Sequence, residues 1–233
     1  MRPVRSAVAV LLVVLAGCGG SGTTKVAAPP IASSTTIASL GCGAGPFVAA
    51  SSTDMTTGRG DFDGDGRPDV LSTYRVGGAG TWHVRVELAA GGAVETELPA
   101  TATGVRAIGG SSLDPQKGDA AFVVVGTGNG GSNIGLFVLK ACTLTRATLA
   151  GGALAEFPVQ VGALARTGVT CQVPGLVIYS AVSTDGQFYT ASSVSYLLIG
   201  PLLDEAHRNM MSLPASDPSL TAFGSFTCGG LKL

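Results

Sequence analysis

From Asp61 to the C-terminus, runs of residues that favour β-strands are broken at short intervals by glycine-rich turns. This rhythm constrains the fold more than any other feature of the sequence. Three stretches repeat it: Pro68 to Ala100, Gly118 to Gly152 and Pro174 to Leu203. Each carries an apolar strand, a turn rich in Gly, Asn, Asp or Ser, a second strand and usually a third. Asp69, Asp119 and Gly175 occupy equivalent starts, 50 and 56 residues apart. Periods of this length belong to propellers and repeat arrays. The runs themselves are β-branched and aromatic, as strands prefer: Val70, Tyr74, Trp82, Val84, Phe122, Val124, Phe137, Ile178 and Tyr189. Asp185-Gly186 is a strong hairpin turn. Glycine reaches 35 of 233 residues, about twice the ordinary share. The expected class is all-β, with about three antiparallel repeats. One short helix is expected over Leu202 to Met211.

The sharpest motif opens the first repeat. Residues 61–69 read Asp-Phe-Asp-Gly-Asp-Gly-Arg-Pro-Asp, a D-x-D-x-D-G-x-x-D pattern. Calcium takes six to eight hard oxygen ligands at about 2.3–2.6 Å. Alternating Asp61, Asp63 and Asp65 can turn three carboxylates inward from a wrapped loop, and Gly66 allows the sharp turn. The Arg67 carbonyl and Asp69, directly or through water, complete the expected set. Four carboxylates this close repel one another, and a cation offsets that repulsion. An EF-hand would need a glutamate at loop position 12, where this chain has Ser72 at the start of a strand.

Gly60 to Leu71 followed by a hairpin resembles the FG-GAP repeat family, whose bacterial members are also described as VCBS-like and which form blades of integrin-type β-propellers. The resemblance implies a calcium loop joining blade strands in an extracellular binding or adhesion module. The second repeat keeps only Asp114 and Asp119 of the acidic pattern, and the third keeps none. Propellers typically have four to eight blades. About three repeats therefore imply a partial or atypical β-propeller.

The N-terminus bears on location. Arg2 and Arg5 precede the apolar run Ser6 to Leu15, the layout of a secretory signal. That run is about half the length needed to span a bilayer. Leu15-Ala16-Gly17-Cys18 looks like a bacterial lipobox, which implies cleavage before Cys18 and lipidation of its thiol. Residues 1–18 are thus read as a lipoprotein signal. Residues 19–40, rich in Ser, Thr, Ala, Gly and Pro, are read as a disordered tether. Residues 41–233 are read as the β-repeat domain. Outside the cytoplasm the remaining cysteines are expected to pair, and Cys42 with Cys142 and Cys171 with Cys228 is the favoured connectivity of three.

Other chemistries find little support. The formal net charge is −1, and no basic stripe marks a nucleic-acid surface. Gly126 to Gly131 matches G-x-G-x-x-G, but a strand and not a helix is expected next, so it reads as a hairpin turn. His83 alternates with Trp82 and Val84 and is expected to face solvent beside Arg85; His207 is expected on the surface. Neither is placed in a catalytic set by spacing. The expected function is a membrane-tethered calcium-binding module on the extracytoplasmic face of the envelope. Its role is expected to be binding or structural and not enzymatic, with a protein or glycan ligand. The alternatives are an envelope hydrolase with dispersed catalytic residues, or an accessory subunit of an envelope assembly.

Overall fold

The computed structural model describes residues 41–233, apart from 46, 47, 50, 78, 79, 116 and 129. The expectations for residues 1–18 and 19–40, lipidation of Cys18 among them, lie outside the described residues.

Four strands form the first sheet, antiparallel and in chain order: β1 (Ser52–Gly60), β2 (Asp69–Val76), β3 (Trp82–Glu87) and β4 (Ala93–Leu98). Their alternation sets one face toward the core. Leu71 lies opposite Val86, Arg75 opposite Trp82, and Val86 opposite Val94. The remaining strands build a second, eleven-stranded sheet. Its main path takes β5 (Arg106–Ser111), β6 (Ala120–Gly128) and β7 (Gly131–Lys140) to β10 (Glu156–Val161). It continues through β11 (Ala165–Cys171), β12 (Leu176–Val182), β13 (Phe188–Ile199) and β14 (Leu202–Pro214). The far half of β7 pairs with β8 (Thr143–Arg146), and β9 (Thr148–Leu149), next along the chain, pairs in parallel with β14. The sheet therefore curls back toward its own start without forming a closed barrel. β15 (Phe226–Thr227) adds in parallel to β11.

The all-β class is as expected. The three sequence repeats each form antiparallel hairpins, but the second and third share one continuous sheet. The run Ala120 to Val125 shows why. Ala121, Val123 and Val125 face one core with Leu71, Val84 and Phe137, while Ala120, Phe122 and Val124 face another with Ile134, Leu136 and Leu203. A strand covered on both faces reads as an unbroken apolar run, and β6 is that strand.

The two sheets meet almost backbone to backbone. A Cβ on Gly58 would lie 2.8 Å from the Gly109 Cα, and one on Gly60 2.7 Å from the Gly110 Cα. Glycine is required there because no side chain fits between β1 and β5. The Ala107 amide donates to the Thr56 hydroxyl across the same contact, at 2.7 Å.

Leu202 to Met211 is not a helix. It is most of β14, paired along its length with β13. Among the described residues the one helix is a 3-10 segment, Pro218–Gly224, capped by Asp217 and packed through Leu220 and Phe223 onto Tyr189.

Candidate metal loop

The loop between β1 and β2 is held from below before any ion is considered. Phe62 is buried in the first core. Asp69, only 1% exposed, accepts the Phe62 amide at 2.8 Å through Oδ2 and the Ala89 amide at 2.8 Å through Oδ1. Gly64 and Gly66 both take positive φ, 74° and 83°, which lets the chain turn tightly. Asp119, entering β6, accepts the Asp61 amide at 2.9 Å, and its own amide donates to the Asp61 carbonyl at 2.6 Å.

On this base the alternating carboxylates converge. One oxygen from each of Asp61, Asp63 and Asp65 lies within 4.8 Å of the others. Asp61 Oδ2 accepts the Gly66 amide at 2.9 Å, and Asp63 Oδ1 accepts the Asp65 amide at 3.2 Å. The other oxygens, Asp61 Oδ1 and Asp63 Oδ2, are shielded from solvent and have no hydrogen-bond partner. Asp65 differs. Its Oδ1 accepts the Arg67 amide at 2.8 Å, and its Oδ2 accepts both Arg67 Nε and Nη2, at 2.9 and 2.7 Å.

The electrostatics follow the geometry. Burial raises the Asp63 carboxyl above its ordinary value, and Asp69, Asp65 and Asp61 push it the same way. Burial also raises Asp119, against the lowering effect of the bond from the Asp61 amide and with the charges of Asp61 and Asp69 adding to the rise. The Arg67 guanidinium holds the Asp65 carboxyl below its ordinary value. Two orphaned carboxylate oxygens in a wrapped loop suit a hard cation, because a buried acceptor without a donor is costly. The donor set is all oxygen, the chemistry of calcium or magnesium.

The structure thus brings Asp61, Asp63 and Asp65 together and gives Asp69 to two backbone amides. Asp119 is the residue that spacing alone did not bring to the loop. Its sequence signal was its place as the counterpart of Asp69 in the second repeat, and both aspartates accept loop amides. A cleft of about 500 Å³ adjoins the loop, lined by Asp63, Asp119 and the Asp114–Lys117 ion pair together with Val138, Leu198 and Ile199.

A second polar cluster corrects the reading of His83. Its side chain is only 15% exposed; Nδ1 sits 2.8 Å from Glu95 Oε1, and the ring stacks on Tyr74 at 5.0 Å. The Tyr74 hydroxyl donates to the other Glu95 oxygen. Arg85, also expected outside, is buried and donates to Glu87 at 2.9 Å. Alternation placed these groups correctly on the face opposite the core, but that face is itself covered. His207 is exposed, as expected, though on a strand. Gly128 and Gly131 pair across the β6–β7 hairpin, so G-x-G-x-x-G is a turn.

Both expected disulfides are formed, Cys42–Cys142 and Cys171–Cys228. Such bonds persist in oxidising compartments and point to an extracytoplasmic setting. Among the described residues no helix is long and apolar enough to cross a membrane. Comparison with protein-family models, with curated proteins and with solved structures found no match.

Proposed function

We propose that this chain is a membrane-tethered, extracytoplasmic β-module whose Asp61–Asp69 loop binds calcium, with a binding or structural role and not an enzymatic one. The observation that carries the reading is the pair of shielded, unpartnered oxygens, Asp61 Oδ1 and Asp63 Oδ2, beside Asp65. Arg67 balances Asp65, so a bound ion shares or displaces that guanidinium. Extracellular calcium modules bind at about 10⁻⁴–10⁻³ M. At about 1 mM calcium this gives about 0.4–1.4 kcal/mol of added stability. For a domain of this size that is a shift of about 1–6 °C in Tm. Calcium should raise the Tm more than magnesium, and Asp63→Ala should abolish the response. Calorimetry showing no binding at several times the weaker of those affinities would reduce the loop to an acidic turn.

The tether rests on Leu15-Ala16-Gly17-Cys18. Fatty-acid labelling should mark the wild type and not Cys18→Ser. The ligand class, a protein or glycan, rests on the family resemblance and is tested by capture from envelope extract through the calcium-loaded protein. The accessory-subunit reading gains support from one observation: among the described residues, no strand pairs with the outer edge of β14 beyond Leu203.

A further inference from the structure

We propose that β14 is a self-association edge, pairing antiparallel with the β14 of a second copy of this chain. Beyond its short contact with β9 at Leu202 and Leu203, β14 has no strand on its outer side among the described residues. From Asp204 to Met210 every residue is exposed, so neither face of this stretch is covered. An uncovered edge presents a row of unpaired amides and carbonyls ready to accept another strand.

The charge order selects the occupant. The acidic residues Asp204 and Glu205 precede the basic Arg208 and neighbouring His207 along the strand. Antiparallel pairing of two copies about a two-fold axis sets the acidic end of each against the basic end of the other. An edge built only to repel strands would carry one sign of charge or a proline; this one carries both signs in self-complementary order.

The bulge fixes the register. Tyr196 of β13 faces Glu205 and Ser195 faces His207, so Ala206 is the extra residue. In a regular strand residues three apart point to opposite faces. The bulge returns Glu205 and Arg208 to one face, where Arg208 Nε and Nη2 reach the Glu205 carboxylate at 2.9 and 2.7 Å. Glu205 can then lie opposite Arg208 of the other copy with side chains on matching faces, and Asp204 lies opposite Asn209 in the same register. The two intrachain pairs become one ring of alternating charge.

The test is sedimentation equilibrium of the full chain in density-matched detergent. The wild type should show reversible dimerisation. Glu205→Arg and Arg208→Glu should each weaken it by roughly tenfold or more, because each sets like charges against one another. An equimolar mixture of these two variants should dimerise again, since each then meets the opposite charge. Thermal unfolding of each variant confirms that a lost dimer is not a lost fold; if one unfolds, Glu205→Gln and Arg208→Gln replace the pair, each should then weaken dimerisation, and mixing them should restore part of it, because the mixed dimer regains one of the two interchain ion pairs. A wild type that stays monomeric overturns the proposal. So does a dimer that no substitution at Glu205 or Arg208 weakens, or a failure of the charge-swapped mixture to reassociate.

Discussion

At the scale of single residues, the acidic loop divides into braces and candidate ligands. Asp69 is a brace: removing it leaves the Phe62 and Ala89 amides without their acceptor. A buried unsatisfied donor costs about 1–3 kcal/mol. Asp69→Ala should therefore destabilise the protein by roughly 2–4 kcal/mol, with calcium or with chelator, in urea unfolding. Asp63→Ala removes one oxygen that has no partner and one that accepts only the Asp65 amide, at 3.2 Å, and should cost clearly less than Asp69→Ala apart from the calcium response. Equal losses for the two variants in chelator would contradict this division. Arg67 gives a second test. Its guanidinium holds Asp65 by two contacts, so Arg67→Ala frees that carboxylate while keeping the backbone carbonyl. Calcium titration should show tighter binding in this variant; weaker binding would mean that Arg67 organises the loop. The sequence disclosed which carboxylates alternate toward one point. It did not disclose that Asp69 would be consumed by backbone amides, because that depends on Ala89, twenty residues away. His83 was misread for a related reason: alternation tells which face a side chain takes, and burial of that face depends on what the rest of the chain lays over it.

At the scale of elements, β14 shows propensity yielding to tertiary pairing. Leu, Glu, Ala, Arg and Met are good helix formers, and Leu202 to Met211 is rich in them. Yet β13 offers a long strand rich in aromatic and β-branched residues, and Gly200 with φ 61° reverses the chain beside it. The Asp185-Gly186 turn that precedes β13 was legible because its chemistry is local. The Asp185 Oδ1 accepts the Gln187 amide at 2.8 Å and the Phe188 amide at 3.4 Å, with the Ser183 hydroxyl at 3.2 Å. These bonds, the Gln187 amide first, hold the Asp185 carboxyl below its ordinary value of 3.8. For a depressed acid the contribution to stability is present above the unfolded value and is lost as pH falls through the folded one. Asp185→Asn keeps an acceptor oxygen without the titration. Unfolding curves taken downward from pH 5 should fall less steeply for Asp185→Asn than for the wild type. Parallel curves would show that the turn carboxylate does not contribute to acid sensitivity.

At the scale of the whole molecule, the two disulfides tie down the first and last parts of the described residues. Cys42 is buried in the first core, and its bond to Cys142 fixes the segment ahead of β1 to the turn between β7 and β8. Cys171 ends β11, and its bond to Cys228 fixes the segment after β15. Both pairs join residues far apart in sequence, by 100 and 57 positions. In the chain-entropy account, loops of these lengths each restrict the unfolded chain by roughly 4–5 kcal/mol, and measured losses run about 2–5 kcal/mol. That is a large share of the roughly 5–15 kcal/mol that keeps a typical domain folded. The bonds act beside two other joints between the sheets: the bare glycine backbones at Gly58–Gly109 and Gly60–Gly110, and the core that Leu71 and Val84 share with Ala121, Val123 and Val125. Replacing Cys42 and Cys142 together by alanine should loosen the four-stranded sheet first. Replacing Cys171 and Cys228 together should loosen β11, β15 and the 3-10 helix packed on β11 and β12. Hydrogen exchange on the two double variants should therefore show faster exchange at opposite ends of the molecule, with β6, covered on both faces, the slowest in each. Faster exchange spread evenly over both sheets in either variant would show that the fold is one cooperative unit, and that neither bond guards a particular end.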